Sequence, residues 1–192
     1  MSIVFFDLET GGLLASHPNI QLAAVAVNDA LEELEHYEAK IQFNESDADL
    51  EALKMNHYDR GTWEERAIPV RDVILTFSSF LKRHSSIEMV SKRTGNPYSV
   101  ARLAGHNVVT FDVPRLQAMY GREFLPAHPQ ALDTLQLALW RMVGAKDCPK
   151  SNKLTDLCEF FGIEIPDAHD ALADVRGSIA IARAMTAQAV AA

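Results

Sequence analysis

A chain of 192 residues, 48% hydrophobic and 23% charged, has the size and composition of one globular domain spanning residues 1–192, and nothing in it reads as disordered or low-complexity. A formal net charge of −8 argues against a broad nucleic-acid-binding surface and leaves open a site that grips one end of a strand. No apolar run reaches the ~18 residues of a membrane span and Met1–Phe6 lacks a basic start, so the expectation is a cytoplasmic protein with no membrane partner, in which Cys148 and Cys158 are ordinary thiols.

Ser2–Phe6 is apolar and rich in β-branched and aromatic residues, which predicts a strand, and the polar Asp7–Gly12 predicts a loop after it. Ile20–Val27 and Leu34–Phe43 continue as strands of a meander. Asp47–His57 reads as a short helix with acids near its start. Pro69 opens a better one, in which Val70, Val73, Ile74, Phe77, Phe80 and Leu81 keep a helical period. His84–Val100, with Lys92, Arg93, Gly95 and Pro97, reads as a flexible, locally basic loop, and Arg102–Gly105 as a short buried strand. Thr110 is placed to cap a helix that runs to about Tyr120 and ends at Gly121. Further helices start at Asp133, at Leu154 and near Asp170. Strands followed by alternating helices and short strands predict an α/β domain with a mixed sheet.

Three segments carry the chemistry. In Phe6-Asp7-Leu8-Glu9-Thr10, residues two apart on a strand share a face, so Asp7 and Glu9 project side by side and repel unless a cation sits between them. In Gly105-His106-Asn107-Val108-Val109-Thr110-Phe111-Asp112, a strand leads through a polar turn into a helix, with Asp112 in its first turn. An Asp there also simply favours the helix dipole, and His106 reads as a structural hydrogen-bonding residue. In His169-Asp170-Ala171-Leu172-Ala173-Asp174, Asp170 and Asp174 share a helix face while His169 precedes the helix, where an imidazole can titrate near neutral pH as a general base. Asp167 and Asp170 read as loop-solvating and capping acids.

The ordered set Phe-Asp-Leu-Glu-Thr-Gly, His-Asn-x-x-x-Phe-Asp and His-x-x-x-x-Asp resembles the DEDDh (DnaQ-like) exonucleases, the group of the proofreading subunit of bacterial DNA polymerase III, RNase T and oligoribonuclease. The resemblance runs from Ile3 to about Ala184, and Leu132-Asp133-Thr134 and the Leu154-to-Ile163 segment add to it. It implies an RNase H-like fold with a central mixed five-stranded sheet flanked by helices. It also implies a 3′→5′ exonuclease that releases nucleoside 5′-monophosphates. Asp7, Glu9, Asp112 and Asp174 would be the ligands of two divalent metal ions, Mg²⁺ or Mn²⁺, and His169 the base that deprotonates the attacking water. Leu8 and Thr10 match positions that hold the terminal 3′-hydroxyl, Leu13 would wedge between the last two bases, and Asn107 and Phe111 would bind the strand end.

The partner implied is a nucleic-acid 3′ end, single-stranded DNA favoured and RNA possible. No polymerase-binding tail is visible after the last helix, which favours a stand-alone nuclease. The alanine-rich last helix leaves a homodimer open. Lys92, Arg93, Arg102 and Tyr98 could track a phosphate backbone. The alternatives are an RNA or oligoribonucleotide exonuclease and a non-catalytic nucleic-acid-binding module. The intact set of five residues speaks against the second.

Overall fold

The computed structural model describes residues 1–165 and 170–190. At its centre is strand β1 (Ile3–Thr10), paired on one side with β2 (Asn19–Val27) and on the other with β6 (Arg102–Gly105). β3 (Glu33–Lys40) and β7 (Leu132–Asp133) complete a five-stranded sheet in the order β3-β2-β1-β6-β7. The β1–β2 and β2–β3 pairs are antiparallel, and the β1–β6 and β6–β7 pairs are parallel. This is the mixed five-stranded arrangement expected from the motifs.

The two-residue period of β1 sorts its side chains. Val4, Phe6 and Leu8 enter a core with Phe77, Phe80 and Leu81 of α3 (Val70–Arg83) and Leu116 and Tyr120 of α4 (Asp112–Tyr120). Phe5 enters the core on the other side, with Val175, Ile179 and Ala182 of α7 (Ala171–Val190). Asp7 and Glu9 share the face of Phe5 and are thereby turned toward α7. β2 is buried on both faces, which explains its unbroken apolar run from Leu22 to Val27.

α5 (Thr134–Met142) and α6 (Leu154–Phe161) pack on α7 through Ala138, Leu157, Ile181 and Met185. A smaller cluster of Ile20, Leu53 and Trp63 seats α1 (Leu50–Met55) and α2 (Arg60–Arg66) beside the start of β2. Among the described residues, no helix is long and apolar enough to cross a membrane.

Four expectations are corrected. β1 does not stop at Phe6 but runs through Thr10, because β2 pairs with it as far as Asn19. The expected helix over 47–57 begins only at Leu50, with Asp49 as its cap, after a single 3-10 turn at Glu45–Asp47. Thr110 does not cap α4: its hydroxyl donates to Asn107 Oδ1, and the helix starts two residues on. The expected loop at His84–Val100 is largely a hairpin, β4 (Ile87–Val90) against β5 (Pro97–Val100), with Met89 opposite Tyr98. Its Ser91–Asn96 turn uses Gly95 at φ 73°, a left-handed conformation that suits glycine. The hairpin joins β6 at the end away from Gly105, so Lys92 and Arg93 lie at the far end of that strand from the carboxylates. Arg102 donates to His128 Nδ1 and the Gln130 carbonyl, both at 2.7 Å.

Candidate active site

Three elements bring the carboxylates together. β1 presents Asp7 and Glu9, α4 begins with Asp112, and the first turn of α7 holds Asp174. Carboxylate oxygens of Asp7, Glu9 and Asp174 all lie within 4.8 Å of one another. Asp112 is almost fully buried, and its Oδ1 accepts the backbone amide of Leu8 at 3.2 Å, which fixes α4 against the middle of this group. The cleft of about 530 Å³ around them is lined by Asp7, Glu9, Asp112 and Asp174 together with His106, Asn107, Phe111, Leu135 and Lys153.

The electrostatics are those of acids held together against their repulsion. Burial, reinforced by Asp112, Glu9, Asp174 and Asp170, raises Asp7 well above the usual carboxylate range. Glu9 is pushed up to about 8 by burial and by Asp174, Asp112 and Asp170. Burial pushes Asp112 up to about 7, against the lowering effect of the Leu8 amide. Buried carboxylates with such values bind protons or cations to relieve the repulsion. An all-oxygen donor set suits hard divalent ions such as Mg²⁺ and Mn²⁺, so the residues present fit the metal pair implied by the motifs.

The polar turn before α4 is held by one side chain. Asp133 accepts the amides of Asn107 and Val109 at 3.0 and 3.1 Å and also caps α5 through the Leu135 amide. These bonds hold Asn107 at φ 60°, a conformation that asparagine tolerates better than most residues. Gly105 is required at the end of β6: a Cβ there would lie 2.3 Å from Val108 Cγ1 and 2.7 Å from the Phe6 carbonyl. His106 is fixed between Thr134 Oγ1 and the Asn152 carbonyl, both at 2.9 Å, and burial lowers its pKa. It has the structural role expected of it.

The sequence matches the exonuclease family of RNase T over residues 4–182. The chain belongs to the RNase T exonuclease family. Among solved structures it is similar to E. coli exonuclease I in complex with a dT13 oligonucleotide, with a TM-score of 0.73, 20% identity and coverage of 95% of this chain and 40% of that one. Exonuclease I from Methylocaldum szegediense gives a TM-score of 0.75 at 22% identity, covering 97% and 40%. A zinc-bound E. coli exonuclease I–ssDNA complex gives 0.76 at 19%, also covering 97% and 40%. These likenesses establish the RNase H-like exonuclease fold. The chain spans about two-fifths of the length of those proteins. No curated protein matches it in sequence.

Within this exonuclease fold the remaining expected residues fall as follows. His169 and Asp167 lie outside the described residues. Asp170 caps α7, accepting from the amides of Leu172 and Ala173. Leu8 places its side chain in the core and its amide on Asp112. The Thr10 hydroxyl donates to the Gly12 carbonyl. Leu13 is 85% exposed on the loop after β1. Phe111 lies at the edge of the cleft, with the Arg115 guanidinium stacked 4.4 Å from its ring centre.

Sequence reading missed Arg115. It is buried on α4, one turn after Asp112, and donates to the carbonyls of Gly12, Leu13, Leu14 and His17 at 2.9–3.2 Å. It therefore fastens the Leu13 loop to the helix that carries Asp112. An arginine three positions after an acid on a helix was the only local signal, and that is common on exposed helices.

Proposed function

We propose that residues 1–192 form one exonuclease domain that removes nucleoside 5′-monophosphates from the 3′ end of single-stranded DNA, dependent on divalent metal. The convergence of Asp7, Glu9 and Asp174 within 4.8 Å, with Asp112 buried beside them, carries this reading. The single-stranded ligands of the exonuclease I structures favour DNA over RNA.

The four carboxylates are assigned as ligands of two Mg²⁺ or Mn²⁺ ions. Such a pair, when bound, stabilises the attacking and leaving oxygens of an in-line displacement at phosphorus. The chain's own residues do the rest. Leu8 and Asp112 hold the two acidic elements in register. Phe111 lines both the carboxylate cleft and the neighbouring cavity that Leu13 lines, so the two offer aromatic and apolar surface to the terminal nucleotides. Arg115 keeps Leu13 in place. His169, assigned by its motif, takes the proton of the attacking water on a ring nitrogen, a role whose removal costs about 10²–10⁴-fold in rate.

The test is a time course on matched 5′-labelled single-stranded DNA and RNA, with Mg²⁺, with Mn²⁺ and with chelator. A metal-dependent ladder shortening from the 3′ end supports the reading, and the faster ladder identifies the nucleic acid. No cleavage under any metal overturns it in favour of a binding module.

A further inference from the structure

Helix α5 has two unlike faces. Leu137, Ala138 and Met142 pack toward Leu157, Ile181 and Met185. The opposite face carries Gln136, Leu139 and Trp140 at the i, i+3, i+4 spacing of one stripe, and Val143 follows at the helix's C-terminal cap. Leu139, Trp140 and Val143 are all exposed, Trp140 by 77%. An apolar stripe open to water marks a contact surface.

Charge indicates what the surface contacts. Residues 141–153 hold Arg141, Lys146, Lys150 and Lys153 against the single acid Asp147, four positive charges to one negative, in a chain whose net charge is −8. This stretch leads from the outer end of α5 back to the carboxylate cleft. The Asn152 carbonyl is bonded to His106, and Ser151, Asn152 and Lys153 line the cleft together with Leu135 at the start of α5. Lys150 pairs with Glu159 at 3.0 Å, both side chains being well exposed, and a phosphate can replace such a pair at little cost.

We propose that the outer face of α5 and the basic segment after it form a track for the strand lying 5′ to the cleavage site. Trp140 is a stacking platform for one base, and Lys146, Lys150 and Lys153 are phosphate contacts. The track rests on the exonuclease reading above and extends it to residues outside the carboxylate cluster. From Leu135 to Trp140 the helix rises about 7.5 Å, the length of about two stacked nucleotides at ~3.4 Å each. The track thus begins about two nucleotides upstream of the terminal one. Stacking on an indole is sequence-tolerant, so the track favours length over sequence.

The experiment compares a dT dinucleotide with a long dT oligonucleotide as substrates in Mg²⁺. Trp140→Ala is expected to lower kcat/KM on the long strand by about 5- to 150-fold, the size of one base–aromatic stack, and to leave the dinucleotide unchanged. Lys146→Gln with Lys150→Gln is expected to reduce the salt slope of long-strand binding by about 1.4. Fluorescence of the wild type in chelator gives a readout independent of turnover. Trp63 is buried, so quenching by the oligonucleotide reads Trp140. Equal losses on both lengths, or none, overturn the track. So does a dimer that Trp140→Ala dissociates while long-strand cleavage is undiminished, because the stripe then binds a second copy. If the wild type cleaves nothing, the exonuclease reading fails. Quenching still decides the track in that case, its presence supporting a strand contact and its absence overturning one.

Discussion

The backbone amide of Leu8 donates to Asp112 Oδ1 across 3.2 Å, so the acid that opens α4 is held by the strand that carries two of the other three. Asp112 thus combines a structural bond with a charge. Asp112→Asn keeps an acceptor for the amide and removes the charge. Cleavage is expected to fall by more than the about 10–100-fold that loss of an outer-shell partner of a metal costs. The melting temperature of the metal-free protein should hold or rise. Steady-state kinetics and thermal melts check both, and cleavage close to wild type would remove Asp112 from the metal set.

Asp7 repels every acid around it, so its loss should cost the fold nothing. Asp7→Ala is expected to reduce turnover to near background while the circular dichroism spectrum is preserved and the chelator-treated protein melts no lower. Single-turnover measurements at saturating Mn²⁺ are the check. Activity surviving at wild-type level would sink the two-metal assignment.

The raised carboxyl groups predict an inverted pH dependence for the metal-free protein. Glu9 sits at about 8 in the fold against an ordinary value of 4.5. A group raised in this way binds its proton more tightly when folded. Its stabilisation is complete below about 4.5 and is lost as pH rises through about 8. Melting temperature in chelator should therefore fall from near pH 5 toward pH 8, and added Mg²⁺ or Mn²⁺ should raise it more at the upper end. Stability that climbs with pH in chelator would show that the acids do not share one buried site.

Arg115 ties α4 to the loop that displays Leu13. Arg115→Met keeps the buried stem and abandons four carbonyls, at a stability cost of about 1–3 kcal/mol. The kinetic consequence is expected in KM more than in kcat, since Leu13 moves while the carboxylates stay. A fall in kcat with KM unchanged would instead tie Arg115 to the chemistry.

The legible parts of this molecule were local. Asp7 and Glu9 are two apart on a strand, and strand alternation alone turns both toward α7. Asp112 stands at a helix start that the turn before it announces. What escaped depends on distant partners. Arg115 reaches back about a hundred residues in sequence for its carbonyls. β4 and β5 are four residues each, too short to show a period, and pair only with each other. α2 shows one buried residue, Trp63, whose Nε1 donates to the carbonyl of Ile20, forty-three positions earlier. The end of β1 was placed too early because Asp7 and Glu9 are polar, although β2 pairs alongside both.

The order in which the acids occur along the chain has a consequence for its synthesis. A nascent polypeptide emerges N-terminus first. β1 leaves the ribosome with two of the four carboxylates, about a hundred residues pass before β6 and α4 arrive, and Asp174 comes only with α7. The cluster cannot close on a half-made chain. The carboxylate cluster is therefore a property of the finished chain and of no nascent fragment that ends before α7.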